Sequence, residues 1–408
     1  MEVLLITTRN IYESTGEYKL IKRRADELFK GFNIKTKVIS FQRQSRINST
    51  KFEDTKDFQY LIKTGFKKST FIFDLIRFRK QLKKYLNTNK PKKIIVSGFF
   101  AFFFNDIIIN YKMKNNCDVY LDMHGCDEEL TEYGSVLKKR VFNILVKFVN
   151  KSTEKLVPHC KGFLAVSSTL VQYIIDKYKV KPEEKDFFLI PCGNYGVIKD
   201  YKERLYHRNI WRKKLGITDD EIVFVYSGGI SKWQMVDETI KFLLDALKIN
   251  KNFKICIFSG QIEEFKKRID KLGEPNKVIL KSLESTEVPL ALTACDIGII
   301  LRENNLTNEV AFPTKFADYL EGGLHIILSS VKSQVEIIQK YNLGIGSDHI
   351  NKLSPINIDN ELNNIMNCRL NNIELYYKTC DSVINDLLDY SKNIQGFGME
   401  LLDLETKK

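Results

Sequence analysis

Short apolar runs separated by longer stretches of helical spacing recur along this chain, and the rhythm plays twice. In the first half EVLLIT (2–7), IKTKVIS (34–40), KIIVS (93–97), CDVYLD (117–122), GFLAV (162–166) and FFLIP (187–191) read as strands. Between them 16–31, 70–87, 135–150 and 168–178 carry helical patterns. Strands alternating with helices predict βαβ units and a parallel sheet buried on both faces. The stretch CGNYGVIKDYKERLYHR after Pro191 breaks the rhythm and reads as a connection. A second series follows with EIVFVYS (221–227), FKICIFS (253–259), KVILK (277–281), CDIGIIL (295–301) and HIILSS (325–330). Helical patterns at 234–249, 261–272, 286–294, 313–321 and 332–341 separate its strands.

The predicted fold class is therefore α/β, with two doubly wound Rossmann-like domains over 1–195 and 196–370. The helical pattern 371–404 belongs to neither series, and 371–408 is expected to pack back on the first domain. In open parallel sheets ligands bind beyond the carboxyl ends of the strands. A cleft between two such domains is the expected active site.

Composition narrows the class. The length of 408 residues suits two domains. The most apolar stretch, 94–109, is interrupted by Asn105 and Asp106, whereas a membrane span needs about 20 mostly apolar residues. The start MEVLLITTRNIYE lacks the basic segment of a signal peptide and reads as a first strand. Eight scattered cysteines without a CxxC pair, and five histidines without zinc spacing, point to a reducing cytosol and no structural metal. The net charge of +13 sits in the first half: residues 1–200 hold 37 Lys and Arg against 22 Asp and Glu. Within 19–93 the balance is 22 to 6. Such a face attracts phosphate-rich partners, an anionic bilayer among them. Nucleic acid is not expected, because no RNP, zinc or helix-turn-helix motif accompanies the charge.

Three strand-end loops of the second half carry chemistry. In VYSGGISKW (225–233), Gly228 and Gly229 let a ligand reach the backbone and Lys232 follows within reach of an anion. In LREN (301–304), Arg302 stands where the sheet presents its ligand edge, and a guanidinium grips phosphate bidentately. In EVAFPTKFADYLEGG (309–323), Pro313 is expected as the first helical residue. The amides of Thr314, Lys315 and Phe316 would then be unpaired at the positive end of that helix, a ready phosphate site. Asp318, a turn further on, is short enough to accept hydrogen bonds from sugar hydroxyls. Together the loops describe a diphosphate site.

These residues resemble the donor domain of GT-B retaining glycosyltransferases. The nearest likeness is to the bacterial group classed as family 4, which builds surface polysaccharides. PTKFADYLEGG is similar to that group's Pro-x-Lys-x-x-Glu-Tyr-Leu-x-x-Gly motif. VSSTLVQYI (166–174) and IPCGNY (190–195) resemble its Val-Ser and Ile-Pro-Asn-Gly elements. The resemblance implies a nucleotide-diphosphate sugar as donor substrate, in the first instance a UDP-sugar, with no cofactor and no metal. It gives Lys232 and the Pro313 helix the diphosphate, Asp318 the ribose, and the loop 281–287 the base. Two departures stand out: Val310 where many members carry an acid, and Gly229 where many carry a cation. Arg302 is expected to supply the missing charge.

In the first domain the resemblance implies an acceptor-side glycine loop, for which STGEY (14–18) with Gly16 is the candidate. It also implies a histidine after a middle strand, matched by His124 with Gly125 in YLDMHGCDEEL (120–130). His124, Lys232 and Arg302 are the expected catalytic residues. Asp127, Glu128 and Glu129 are further acidic candidates, and local pairing of His124 with Asp122 or Asp127 is the competing reading. The run 66–86 alternates basic and apolar residues, with Phe71, Leu75, Phe78 and Leu82 on one face. The expected acceptor is a glycan or lipid-linked saccharide, met at the cytoplasmic face of a membrane. A non-catalytic GT-B partner subunit and a nucleotide-sugar epimerase of the same fold are the alternatives.

Overall fold

In a computed structural model the chain forms two parallel α/β units. The structure describes residues 1–9, 11, 16–44, 54–62, 65–132, 136–193, 196–250, 252–271, 278–284, 286–347 and 372–404. One unit comprises Met1–Pro191 with Tyr390–Lys408, the other Cys192–Asp389.

The first unit contains strands β1 (Glu2–Thr7), β2 (Lys35–Ser40), β3 (Gln42–Arg43), β4 (Phe58–Ile62), β5 (Gly65–Phe66), β6 (Lys93–Ser97), β7 (Asp118–Met123), β8 (Gly162–Ala165) and β9 (Asp186–Leu189). Seven form one parallel sheet in the order β4-β2-β1-β6-β7-β8-β9, while β3 pairs with β5. From β1 the chain winds outward to β2 and β4, then returns and winds the other way through β6 to β9. The direction reverses between β1 and β6, whose ends Thr7 and Ser97 lie side by side. Crevices form at such reversals because the flanking connections leave on opposite faces.

The second unit contains β10 (Ile222–Ser227), β11 (Phe253–Phe258), β12 (Val278–Lys281), β13 (Ile297–Ile300), β14 (His325–Ser329) and β15 (Gly344–Ser347). All pair in parallel in the order β12-β11-β10-β13-β14-β15. Its reversal lies between β10 and β13, so the loops after Ser227 and after Ile300 flank it. The central strands β13 and β14 are buried along their whole length, which is why they read as solid apolar runs.

Elements outside the expectations include β4, β15 and a helix over Asn105–Lys114, besides the short pair β3 and β5. Strand β15 is only Gly-Ile-Gly-Ser, too poor in apolar residues to signal itself. It is held by close approach, since a side chain at Gly344 would strike the Ile326 backbone. The stretch after Pro191 is also only partly a connection. A helix runs over Tyr201–Leu215, capped where Asp200 accepts from the Glu203 amide at 2.8 Å and stopped by Gly216 in the left-handed region. Residues Ile373–Leu388 pack on the helix Thr314–Gly322 of the second unit. Helices Tyr390–Asn393 and Gln395–Leu401 pack on the helix Gly16–Phe32 of the first. Among the described residues no helix is long and apolar enough to cross a membrane, and none of them form a cluster of three metal-ligating side chains.

The far end of the helix Thr314–Gly322 is anchored twice. Arg204, buried and stacked 4.8 Å over the Tyr377 ring, donates to the Glu321 carbonyl at 2.8 Å and pairs with Asp381 at 2.5 Å. A cation there complements the negative end of the helix. The Glu321 carboxylate accepts from the amides of Val197 (2.5 Å) and Ile198 (3.0 Å). Burial pushes that carboxyl up to about 7, against the pull of its two amide bonds. A raised folded value means stability that is full below about 4.5 and fades as pH rises through about 7. Glu321→Gln is expected to flatten this part of the pH dependence of thermal unfolding. An unchanged slope would assign it to another group.

Candidate active site

The loop after β10 is built for close approach. Gly228 has φ +138°, and a side chain there would meet the Lys315 Cε at 2.7 Å and Nζ at 2.9 Å. What the missing side chains admit from within the protein is thus the Lys315 ammonium. Lys315 reaches the loop because it stands four residues before Tyr319 on the same helical face. Tyr319 is fully buried, and its hydroxyl accepts from the Ser227 amide at 3.0 Å. Its ring occupies the space that a side chain at Gly298 would need. The helix Thr314–Gly322 is thereby pinned to the ends of β10 and β13.

The Lys315 Nζ lies 3.7 Å from the centroid of the Tyr226 ring and donates to Gln234 Oε1 at 2.6 Å. Arg302, also buried, donates to the same oxygen at 3.1 Å and to the Trp233 carbonyl at 2.6 Å. The Tyr226 hydroxyl donates to the Gly229 carbonyl at 2.7 Å, with Gln234 Oε1 at 3.3 Å. Two buried cations therefore converge on one neutral oxygen at the sheet reversal. Burial, then the repulsion of Arg302, pushes the Lys315 pKa well below its ordinary value, with Asp318 opposing. An anion entering here would relieve that repulsion.

The sequence-predicted residues are placed as follows. Pro313 is the residue preceding the helix, with ψ 126°, and not its first helical member. The Phe316 amide is taken by the Pro313 carbonyl at 3.1 Å, which leaves Thr314 and Lys315 as the first-turn amides without an intrahelical acceptor. Asp318 is half-buried on the same helix. Lys232 stands exposed on a short 3₁₀ turn, Lys232–Gln234, and the cation buried at the glycine loop is Lys315. Val310 is buried at the end of a short helix over Leu306–Val310, a core position rather than a site for an acid. Gln234 and Tyr226 escaped sequence reasoning, since neither carries a charge or a spacing that marks it.

In the first unit Asp122, at the end of β7, is the node. It binds Arg24 at 2.6 Å, accepts from Ser97 Oγ at 3.1 Å and faces His124 Nε2 at 2.9 Å. Arg9, following β1, donates to Ser97 Oγ at 3.1 Å and pairs with Glu17 at 2.6 Å. Burial alone would raise the Asp122 carboxyl, but His124 and Arg24 outweigh it and hold it well below the usual range. Burial, then Arg9, pushes the His124 ring down to about 4. The ring is neutral near pH 7, and facing an ionised carboxylate it carries its proton on Nε2. Nδ1 is then a bare acceptor, buried and without a partner among the described residues.

The local pairing of His124 with Asp122, the competing reading, is thus the one present, and it leaves Nδ1 as the nitrogen without a partner among the described residues. Gly125 follows, with Glu129 Oε2 at 3.7 Å from where a side chain would begin. Glu129 has its carboxyl raised, mainly by burial. Asp127 Oδ2 is held by Lys177 and Tyr178, and the two Glu128 oxygens by Lys177 and Tyr173. Gly16 opens the helix Gly16–Phe32, while Ser14 and Thr15 lie outside the described residues.

Residues 207–381 match the family described as Glycosyl transferases group 1. The match lies within the second unit. The whole chain shares its fold with several solved structures. Sucrose-phosphate synthase from Thermosynechococcus elongatus superposes with a TM-score of 0.72 at 12% identity, over 98% of each chain. WaaG, a glycosyltransferase involved in lipopolysaccharide biosynthesis, gives 0.66 at 14%, over 98% of this chain and 99% of that one. The pneumococcal O-GlcNAc transferase GtfA, solved with UDP and GlcNAc, gives 0.63 at 10%, over 99% of each. No curated protein matches the chain in sequence. The architecture is GT-B, two parallel α/β units. Within the matched residues lie Gly228, Gly229, Lys232, Gln234, Arg302 and the Thr314 helix.

Proposed function

We propose that the protein is a retaining glycosyltransferase of family 4 type that moves a sugar from a UDP-sugar to a glycan or lipid-linked saccharide in surface polysaccharide synthesis. The observation that carries this reading is the convergence of buried Arg302 and Lys315 beside Gly228 and the first turn of the Thr314 helix. Two cations and a helix N-terminus at one strand-end loop suit a diphosphate. GtfA, of the same fold, was solved with UDP.

In the proposed reaction the bond between the anomeric carbon and the β-phosphate oxygen breaks. Arg302 and Lys315 take up the charge that develops on the leaving diphosphate, with Lys232 at the rim of the loop. The acceptor oxygen bonds to the same face of the sugar, and its proton passes to the departing phosphate. Thr314 and Lys315 offer backbone amides to the phosphate oxygens, and Asp318 accepts from ribose hydroxyls. The Phe316 amide, already donating, has no part. His124 accepts a hydrogen bond from the saccharide acceptor at Nδ1, and Asp122 keeps that nitrogen unprotonated. No metal or cofactor enters the scheme.

Thermal unfolding with UDP, GDP, ADP and CMP tests the donor site. A nucleotide present at 100 times its Kd stabilises the fold by about 2.7 kcal/mol. UDP is expected to raise the midpoint most, and Arg302→Ala to abolish the rise. No shift with any of the four would refute the donor site. Isomerisation of the UDP-sugar without an acceptor, followed by NMR, would replace the transferase reading with an epimerase.

A further inference from the structure

Three helices of the first unit, Phe71–Asn89, Asn105–Lys114 and Val136–Leu156, lead into β6, β7 and β8 respectively. These strands are successive neighbours in the sheet. Right-handed crossovers that step in one direction lay their helices on one face, and the three pack in that order, first on second and second on third. The helix Gly16–Phe32, stepping the other way, covers the opposite face together with the C-terminal helices.

The outer surface of the three-helix layer is both apolar and basic. Six of the twelve exposed large apolar side chains among the described residues are on it: Ile72, Phe73, Ile76, Met113, Ile144 and Phe148. Phe73 is 78% exposed and Phe148 62%. On the first helix Phe78, Leu82 and Leu86 are buried. Ile72, Phe73 and Ile76 form a second apolar stripe that the fold leaves uncovered. Over Phe71–Asn89, Asn105–Lys114 and residues 143–156 the sequence holds ten Lys and Arg against three Asp and Glu. Two of those acids are already engaged, Asp74 by Arg77 at 2.9 Å and Asp106 by Arg79 at 2.5 Å. Between the first two helices runs a groove of about 490 Å³ lined by Lys80, Lys83 and Lys114 and by Arg79 paired with Asp106.

We propose that this three-helix face seats the protein on an anionic phospholipid bilayer, with Ile72, Phe73 and Ile76 entering the acyl boundary and the basic groove taking lipid phosphate. Exposed apolar side chains need a hydrocarbon phase and the lysines need anions, and an anionic bilayer supplies both at one surface. A polynucleotide supplies only the second. Each crossover helix runs from the carboxyl edge of the sheet back to its amino edge. The Ile72–Ile76 stripe, in the first two turns of its helix, therefore lies toward the edge that carries Arg9 and His124. A lipid-linked acceptor would be presented to that edge, so the inference deepens the proposed function and rests on it for the nature of the acceptor.

Flotation of the full chain with vesicles tests it, with the UDP-induced thermal shift recorded on the same preparations. Equal-part phosphatidylglycerol and phosphatidylcholine vesicles should carry the protein, and pure phosphatidylcholine should not. Ile72→Asp with Phe73→Asp, both at exposed positions, should lower partitioning at least roughly tenfold. Lys80→Glu with Lys83→Glu should lower it by roughly fivefold or more for each site. Both variants should keep the UDP shift. No flotation, equal flotation on phosphatidylcholine alone, or binding that the aspartate pair leaves intact would each overturn the bilayer surface. Loss of the UDP shift in the unaltered protein with flotation retained would instead overturn the donor site and leave the surface standing.

Discussion

Lys315→Met is expected to weaken UDP binding about 100-fold while leaving the fold as stable as before or more so. A charge-assisted hydrogen bond contributes about 1.5–3 kcal/mol, and each 1.4 kcal/mol is a factor of ten. Without an anion Lys315 is a buried ammonium near a buried guanidinium, held by Gln234 Oε1 and the Tyr226 ring. Methionine keeps the length of the side chain and removes that repulsion, so unfolding should not become easier. Calorimetry gives the affinity and denaturant melts the stability. Unaltered affinity would show that the diphosphate lies elsewhere.

Protonation supplies an independent check. The Lys315 pKa is lowered by burial and by Arg302, so in the free protein its proton is lost at a pH below the ordinary lysine range. Between that lowered value and 10.5 the unfolded chain binds the proton and the folded chain does not, so stability rises with pH across the window. A bound diphosphate favours the ammonium and draws the proton back. UDP binding within the window should therefore take up a proton, visible as a heat that varies with the ionisation enthalpy of the buffer. The uptake should vanish in Lys315→Met.

Asp122→Asn is expected to cost the first unit about 3–5 kcal/mol, the range found when one partner of a buried ion pair is removed. Arg24 is buried against Asp122 at 2.6 Å, and its other contact is the Ile190 carbonyl at 2.8 Å. The amide would leave that guanidinium without a counter-charge and offer His124 no fixed carboxylate. For a unit of this size the midpoint should fall by on the order of 10 °C. The UDP shift should persist, because every group assigned to the diphosphate lies in the other unit. Transfer should fall with the lost orientation of Nδ1. A variant as stable as the parent would mean that Arg24 finds another partner.

Acid should act on the same cluster. The folded Asp122 value is depressed, so its contribution is present above about 3.8 and lost as pH falls through the folded value. His124 titrates near 4 in the fold against 6.5 unfolded. Between those values the unfolded chain binds the extra proton, so stability falls as pH drops from 6.5 toward 4. For the same reason His124 stays an acceptor through neutral pH.

The parallel α/β series was legible because its central strands, such as Ile297–Ile300 and His325–Ser329, are buried on both faces and so appear as unbroken apolar runs. The elements that escaped lack that signal. Strand β15 has two glycines in four residues, and the helix Asn105–Lys114 begins inside the apolar stretch 94–109, where only Asn105 and Asp106 mark its start. The site was legible in part. Arg302, Gly228 and the proline-led helix stand at loop positions where their residue types have chemical meaning. Lys315 was noted for its amide, whereas its ammonium is what fills the space beside Gly228.

By itself the chain sequence determined which residues end the strands and which of those could hold an anion, because strand ends and helix starts are local features. It determined the basic bias of the first half for the same reason. Tertiary structure alone decided the strand order, and with it the reversal between β10 and β13 that brings the Gly228 and Arg302 loops together. It decided that Lys315, not Lys232, is the buried cation, through the pinning of Tyr319 beneath Ser227. It brought Arg24, Ser97 and His124 to Asp122, groups up to 98 residues apart in the chain. It also left Ile72, Phe73 and Ile76 in the open. Each of these depends on which surfaces meet, and no local pattern of apolar and polar residues encodes a meeting between distant segments.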